Sequence, residues 1–380
     1  MEITMHRVLL LGAGKIGRAI ASFLRSTGDF DVLVADADAA ALAKLAGMVP
    51  VQTTLCDASN EAQLRELMQD RDSVLSALVF SVNPTVARIA VESQTSYFDL
   101  TEDVATTRAV RQLADQCRDG CILMPQCGLA PGFISVAANH LMQQFDSLDR
   151  VHMRVGALPQ FPSNTLKYNL TWSTDGLINE YCNPCEAIHE GQLHEVLPME
   201  GYEQFSLDGV RYEAFNTSGG LGSLCETMQG KVRELNYRTV RYTGHRDLMT
   251  FLLSGLRLSE RRGLLKELLE NAIPVTYQDV VITFVNVTGM RGGQFVQISD
   301  ARKIYHQEIA GRHWGAIQIT TAAGICAALD LHVSGKLPSR GFTRQEDIRF
   351  EDFIANRFGR YYAGGTDVRM DSGSLLPDGM

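Results

Sequence analysis

The sequence predicts an α/β chain in which a doubly wound parallel sheet comes first and a second α+β domain, built on a mixed or antiparallel sheet, follows. Three observations carry this. Up to Met124, short apolar runs alternate with helical patterns, as they do where crossover helices connect parallel strands. Beyond Val151 the segments lengthen and alternate in polarity, as in Val151–Val155, Val232–Tyr242, Val280–Val287 and Gln294–Ile298, which fits antiparallel or mixed pairing. The apolar run Val8–Leu11 also leads directly into Gly12-Ala13-Gly14-Lys15-Ile16-Gly17.

That last motif reads as strand, glycine turn and helix, and a second strand, Val32–Ala35, then ends on Asp36. Each part has its own task. Gly12 permits the tight turn, Gly14 lets backbone approach a pyrophosphate, and Gly17 lets helix pack closely on strand. Lys15 and Ile16 open the helix, whose N-terminus faces the phosphates. Asp36, about 20 residues past the last glycine, accepts hydrogen bonds from ribose hydroxyls and repels a 2′-phosphate. The N-terminal domain is therefore expected to be a Rossmann dinucleotide-binding unit that takes NAD in preference to NADP, with Lys15 and Arg18 pulling toward NADP.

The pattern then repeats through a helix at Ala39–Ala46, a strand at Val51–Leu55, a helix at Glu61–Met68 and a strand at Val74–Leu78. Helices at Pro84–Glu92 and Val104–Cys117 lead to strands at Tyr97–Phe98 and Cys121–Met124. Ligands of an open parallel sheet bind beyond the carboxyl ends of its strands. This singles out Asp57, then Phe80, Ser81 and Asn83, then Asp99, Thr101 and Glu102, and then Gln126 and Cys127. In the second domain, helices are expected around Asp175–Tyr181, Arg246–Leu253 and Glu260–Leu269. The run Ala316–Val333 reads as a buried helix, interrupted by Thr320, Thr321 and Asp330 in a way a membrane span avoids. The expected division is 1–127 for the Rossmann domain, 128–315 for an α+β substrate and dimerisation domain, 316–360 for a helical segment returning to the first domain, and 361–380 for a disordered tail.

Composition narrows the function classes. With 380 residues, 45% hydrophobic content and a net charge of −9, the chain is globular and lacks the basic clusters a nucleic-acid surface needs. The N-terminal apolar run is too short for a signal or a span, so a soluble cytoplasmic protein is expected, without membrane partners. Eight irregularly spaced cysteines read as reduced thiols. Cys182 and Cys185 with His189 and His194 lack the usual spacing of a zinc site, and no metal is expected.

Several segments resemble the saccharopine dehydrogenase family. They are Gly156-Ala157-Leu158-Pro159, Pro162–Tyr168, Leu170–Ser173 and Gly176–Tyr181, with Cys127–Gly132, Glu213–Gly220 and Thr239–His245 beside them. The resemblance runs from Met5 to about Arg357, and within the family it is nearest to the lysine 6-dehydrogenase branch. It implies oxidation at a carbon bearing nitrogen, as in the oxidative deamination of L-lysine at its ε-carbon with NAD. The neighbouring possibilities are a saccharopine dehydrogenase or reductase acting on a secondary amine, and a catalytically silent NAD-binding sensor.

Amine oxidation needs a group to take the ammonium proton and an anchor for the substrate. Asp99 and Glu102, at a strand end, are candidate acids, whereas Asp103 reads as the cap of the following helix. His245 is a candidate proton acceptor, its imidazole having a pKa near 6.5. Arg241 matches a substrate α-carboxylate with two parallel hydrogen bonds. Asn164, Tyr168, Trp172 and Thr217 complete the expected pocket, and Cys127 is expected to pack beside the cofactor as an unreactive thiol. A saccharopine-type substrate would need a second cationic anchor, for which Lys167 or Arg154 is available. A homodimer built through the second domain's sheet is expected.

Overall fold

A computed structural model describes residues 5–363, and the chain within it divides into two compact units. Among the described residues, the first comprises 5–136, 309–312 and 318–361, and the second comprises 137–308, 313–317 and 362–363. The expected disordered tail lies almost wholly outside the described residues.

In the first unit the strands are β1 (His6–Leu11), β2 (Phe30–Asp36), β3 (Gln52–Leu55), β4 (Ser73–Ser76), β5 (Ser96–Asp99) and β6 (Ile122–Met124). Between them lie α1 (Lys15–Thr27), α2 (Ala39–Ala46), α3 (Glu61–Met68), α4 (Asn83–Glu92) and α5 (Val104–Arg111). All the strands pair in parallel, in the order β6-β5-β4-β1-β2-β3. This is the doubly wound order whose reversal beside the first strand creates a ligand crevice. A two-residue strand that the sequence did not reveal, Gly341–Phe342, adds itself in parallel to the free edge of β6. The core is formed by strand residues such as Leu9, Val74 and Tyr97 packing against Val86, Ala90 and Val110 of the helices.

Ala316–Val333 is helical and 78% buried, although it is long and apolar enough to cross a membrane. Its Asp330 accepts hydrogen bonds from Asn356 and Arg357, and Arg357 also pairs with Asp29, so the carboxyl-terminal segment is tied to the rest of the first unit by half-buried polar contacts.

The second unit follows helix α6 (Phe133–Met142) and is built on an eight-stranded mixed sheet. Its elements are β7 (Ser147–Pro159), α7 (Thr174–Cys182), β8 (Cys185–His189), β9 (Gln192–Val196), β10 (Glu203–Leu207) and β11 (Val210–Asn216). After these come α8 (Leu224–Met228), β12 (Glu234–Tyr242), α9 (His245–Thr250), α10 (Arg262–Ala272), β13 (Asp279–Arg291) and β14 (Gln294–Tyr305). The order is β10-β11-β12-β7-β13-β14, with the β8–β9 hairpin attached to β12. Only β12 and β7 run parallel; the other pairs are antiparallel. The helices α7, α9 and α10 pack on Tyr168, Leu170 and Phe215 to form a separate apolar core.

Two helices here begin at glycines, which have no side chain to cap them, and in each case a buried strand carboxylate does the work instead. Glu213 accepts from the backbone N–H groups of Gly244 and Arg246 at the start of α9. Asp279 accepts from those of Ala316 and Ile317, beside Gly315. A carboxylate at a helix N-terminus satisfies free donors and complements the helix dipole.

Candidate functional site

In the first unit, the glycine loop has the geometry its sequence requires. Gly12 has φ +103°, and a side chain there would meet the Ala77 carbonyl at 2.9 Å. A Cβ on Gly17 would lie 1.9 Å from the Gly12 oxygen, so only glycine lets α1 approach β1 this closely. Gly14 caps α1 without any side-chain hydrogen bond, and space is open around it. Lys15 and Ile16 are half-buried in the first turn of α1. Asp36 ends β2, and its carboxylate accepts from Ala13 N at 2.6 Å and Asp38 N at 2.8 Å, which fixes it against the loop. An open helix N-terminus beside a fixed acid fits the pyrophosphate and ribose of a dinucleotide.

Past β3, Asp57 is exposed and accepts from Ser59 N, a turn that leads into α3. Hydrogen bonds from Ser59 hold its carboxyl below the usual range. Past β4, Phe80 and exposed Ser81 form a 3-10 turn. The buried Asn83 accepts from Ser76 Oγ at 2.7 Å, and its Nδ2 has no partner.

Past β5, Asp99 is fully buried. Oδ1 accepts from Thr101 N and Gln126 N at 2.9 and 2.8 Å, and Oδ2 accepts from the Tyr97 hydroxyl at 2.6 Å. Burial pushes its pKa up to about 6 against the pull of those donors. The carboxylate thus clamps the ends of β5 and β6, a structural task the sequence did not disclose. Glu102 is half-buried in the following turn, and Asp103 caps α5 by accepting from Thr106 N at 2.7 Å. The Cys127 thiol points back into its own unit: it donates to Met124 O at 3.0 Å and lies 3.7 Å from Gln345 Nε2. Burial pushes its pKa up, so it remains a thiol.

In the second unit, most of the expected substrate residues come together around Arg241, which is 3% exposed. Arg241 Nε donates to the Tyr181 hydroxyl at 2.8 Å and Nη1 to Val240 O at 2.8 Å. The guanidinium carbon lies 5.1 Å from the Tyr168 ring centroid and 5.7 Å from that of Tyr181, within cation–π range. Trp172 donates to the Tyr168 hydroxyl, and Asn164 Nδ2 to the Tyr168 carbonyl, so Asn164 shapes the turn in which Lys167 has φ +51°. Among the described residues, no carboxylate forms an ion pair with Arg241. Its cross-strand partner Glu213 is turned to α9 instead. Thr217 is buried, and its hydroxyl has no partner.

Two expectations are corrected here. His245 is buried, and both its nitrogens are engaged: Nδ1 with Leu166 O at 2.8 Å and Nε2 with the Tyr181 hydroxyl at 3.0 Å. Burial and the Arg241 charge lower its pKa to about 3, so the ring is neutral and has no lone pair to offer a substrate ammonium. Arg154 is not available as a second anchor, because it is buried in an ion pair with Glu203, which Arg238 also contacts.

The candidate zinc cysteines are separated by a change of structure: Cys182 ends α7, whereas Cys185 opens β8. His189 lies near Glu190 and Glu234, but both carboxylates pair with Arg233. Tyr181 was missed because an aromatic on a helix face reads as core. Gln126, singled out by its place past β6, is buried with φ +65°, and its Nε2 has no partner among the described residues.

The Rossmann unit with its intact glycine loop has the build of a dinucleotide-binding domain, and a mixed-sheet unit follows it, with a buried arginine that has no ion-pair partner among the described residues. Family models make the assignment specific. The saccharopine dehydrogenase NADP binding domain matches residues 8–124, and the saccharopine dehydrogenase C-terminal domain matches residues 128–358. The chain belongs to the saccharopine dehydrogenase family.

Among curated relatives, the Saccharomyces cerevisiae saccharopine dehydrogenase [NADP(+), L-glutamate-forming] is 27% identical over 205 residues, 50% of this chain and 43% of that protein. Mouse mitochondrial alpha-aminoadipic semialdehyde synthase is 23% identical over 315 residues, 75% of this chain and 32% of that protein. The chain thus spans less than half the length of the curated relatives it matches. The solved apo saccharopine dehydrogenase (L-Glu forming) from Saccharomyces cerevisiae shares the fold, with a TM-score of 0.79 at 16% identity, covering 97% of this chain and 100% of that one.

Proposed function

We propose that the protein is an NAD-dependent dehydrogenase that oxidises a nitrogen-bearing carbon of an amino acid, with L-lysine as substrate at its ε-carbon. The observation that carries this reading is Arg241, a buried guanidinium with no carboxylate partner among the described residues. A buried charge is costly until it is paired, and a substrate α-carboxylate would pair it. Arg154 is already ion-paired with Glu203, and Lys167, the other candidate for a second anchor, is exposed and donates to Thr243 O, so Arg241 is the buried carboxylate anchor on offer among the described residues, which suits lysine better than the carboxylate-rich saccharopine. The resemblance to the family, which is nearest to its lysine 6-dehydrogenase branch, is consistent with the same choice.

NAD, when bound, supplies the hydride acceptor. Gly12, Gly14 and the first N–H groups of α1 would hold its pyrophosphate, and Asp36 its adenosine ribose. Phe80, Ser81 and Asn83, past β4, would flank its other half. The family model and the yeast relative both carry NADP in their names, whereas Asp36 at the end of β2 and Asp38 at the start of α2 are two carboxylates whose charge would repel a 2′-phosphate there. With Asp99 committed to its clamp, Glu102 is the acid assigned to the ammonium proton. The assembly proposed is a homodimer through the second unit's sheet, which light scattering of the purified chain would test.

The names of the curated relatives favour a second reading, a dehydrogenase acting on saccharopine. The deciding experiment follows NADH or NADPH absorbance at alkaline pH with L-lysine, saccharopine, ornithine and diamines. Lysine turnover with NAD supports the first reading, and turnover of saccharopine alone replaces it with the second. Dinucleotide binding without turnover of any amine would leave a sensor.

A further inference from the structure

We infer that Tyr181 and His245 are positioning residues that hold the Arg241 guanidinium and the turn at residues 164–168 in a single one-way hydrogen-bond chain. This rests on Arg241 being the carboxylate anchor proposed above. The direction of the chain follows from chemistry. The Leu166 carbonyl can only accept, so Nδ1 of His245 carries the proton. The ring is neutral, so Nε2 is a lone pair and the Tyr181 hydroxyl must donate to it. The Tyr181 oxygen then presents only lone pairs to Arg241, whose Nε donates at 2.8 Å. The chain therefore runs from Arg241 through Tyr181 and His245 to Leu166 O without a conflict of donors.

Packing holds each link in place. The His245 ring lies 5.4 Å from Tyr168 and 5.9 Å from Tyr181, and it stacks on Phe215 with an interplanar angle of 10°. The groups facing it are thus three aromatic rings, together with the nearby Arg241 charge. At the other end, Nε and Nη1 of Arg241 are committed, and Nη2 has no hydrogen-bond acceptor among the described residues. Two fixed nitrogens set the plane of the fork, and a bidentate carboxylate contact depends on that plane. The chain ends on the carbonyl beside Lys167, so the fork and the 164–168 turn are set together.

The test uses the purified full chain and two measurements. The first is nitrogen-15 NMR of the histidine rings between pH 5.5 and 8.5, with the His245 signal identified as the one missing from His245→Asn. A neutral ring protonated on Nδ1 throughout is expected. Titration near the ordinary histidine value, or a proton on Nε2, overturns the assignment without reference to activity.

The second is initial-rate kinetics with NAD and two probe amines, L-lysine and the carboxylate-free 1,5-diaminopentane. Tyr181→Phe and His245→Asn, which keeps a donor for Leu166 O, should each raise KM for lysine about tenfold, on the scale of one buried hydrogen bond. The kcat for lysine and the KM for diaminopentane should stay within about twofold, since neither residue touches the reacting atoms. A hundredfold or greater loss of kcat at unchanged KM would make His245 a catalytic base and overturn the proposal. If the wild type turns over neither amine, the function reading above fails, and the NMR result alone decides the chain. If Tyr181→Phe does not fold, the wild-type spectra and His245→Asn decide it.

Discussion

Asp99 in the first unit and Arg241 in the second are both buried charged groups near strand ends, and they are satisfied to different degrees. Asp99 receives three donors, one from its own strand and two from backbone, and both oxygens are occupied. Arg241 has two hydrogen bonds and two aromatic faces, with no carboxylate and no acceptor for Nη2 among the described residues. The saturated ion holds the ends of two strands together, whereas the less saturated one is the proposed carboxylate anchor. Arg154 provides a control within the same unit. It lies on β7, the strand next to Arg241's, is buried to the same degree, and is ion-paired with Glu203, which Arg238 shares.

The largest expected effect separates the two arginines. Arg154→Met leaves Glu203 short of one partner in a buried setting and should lower stability by about 3 kcal/mol, the scale for breaking a buried pair. Its KM for the amine should not move. Arg241→Met removes a buried charge that has no ion-pair partner among the described residues and feels Glu180 only through the field, so it should cost less stability than Arg154→Met while KM for lysine climbs about hundredfold, equivalent to about 2.7 kcal/mol. Denaturant titration alongside kinetics reads both quantities. Equal destabilisation by the two variants would mean that Arg241 is structural.

Asp99→Asn should have a smaller effect. The amide oxygen can still accept from Thr101 and Gln126, but its NH₂ now faces the Tyr97 hydroxyl, and stability should fall by about 1–2 kcal/mol with kcat largely kept. Loss of kcat at unchanged stability would move Asp99 from the clamp to the chemistry. Asp36→Ser removes the charge that faces a 2′-phosphate and should shift the NAD over NADP preference by about tenfold toward NADP, measured as the ratio of kcat/KM values. An unmoved ratio would place cofactor selection elsewhere.

The comparison also explains what the sequence could disclose. Gly12, Gly14, Gly17 and Asp36 were legible because their tasks are local: a turn, a close packing and a strand end, all within 25 residues. Arg241, Tyr168 and Trp172 could be nominated by residue type, but what makes Arg241 a candidate anchor is the absence of a carboxylate. That absence arises because Glu213, directly opposite it, is drawn away by the uncapped start of α9. No pattern in the chain encodes that competition.

His245 failed as a base for a related reason. Its ordinary pKa invites the role, and burial beside Arg241 removes it. The strand Gly341–Phe342 was invisible because two residues carry no periodicity, and the β8–β9 hairpin because its second strand is almost wholly exposed and presents no apolar face.

A pH series tests burial on both sides of the comparison. His245 and His152 are lowered to about 3 and His332 to about 4 by burial, so the unfolded chain takes up these protons first as pH falls through 6.5. The stability these neutral rings carry is complete above pH 6.5 and is lost toward pH 4, at about 1.4 kcal/mol per pH unit for each ring. Asp99 has the opposite sign. Its pKa near 6 lies above the unfolded value, so the cost of burying its charge is complete above pH 6 and is relieved as pH falls through that value. Burial also lowers His6 and raises Asp279, so the rings outnumber the acids by two and the melting temperature should fall between pH 6.5 and 4.5. His245→Asn removes one ring and should cut that slope by about half. An unchanged slope in calorimetry would show that His245 titrates normally in the folded state, and the hydrogen-bond chain from Arg241 to Leu166 would lose its neutral link.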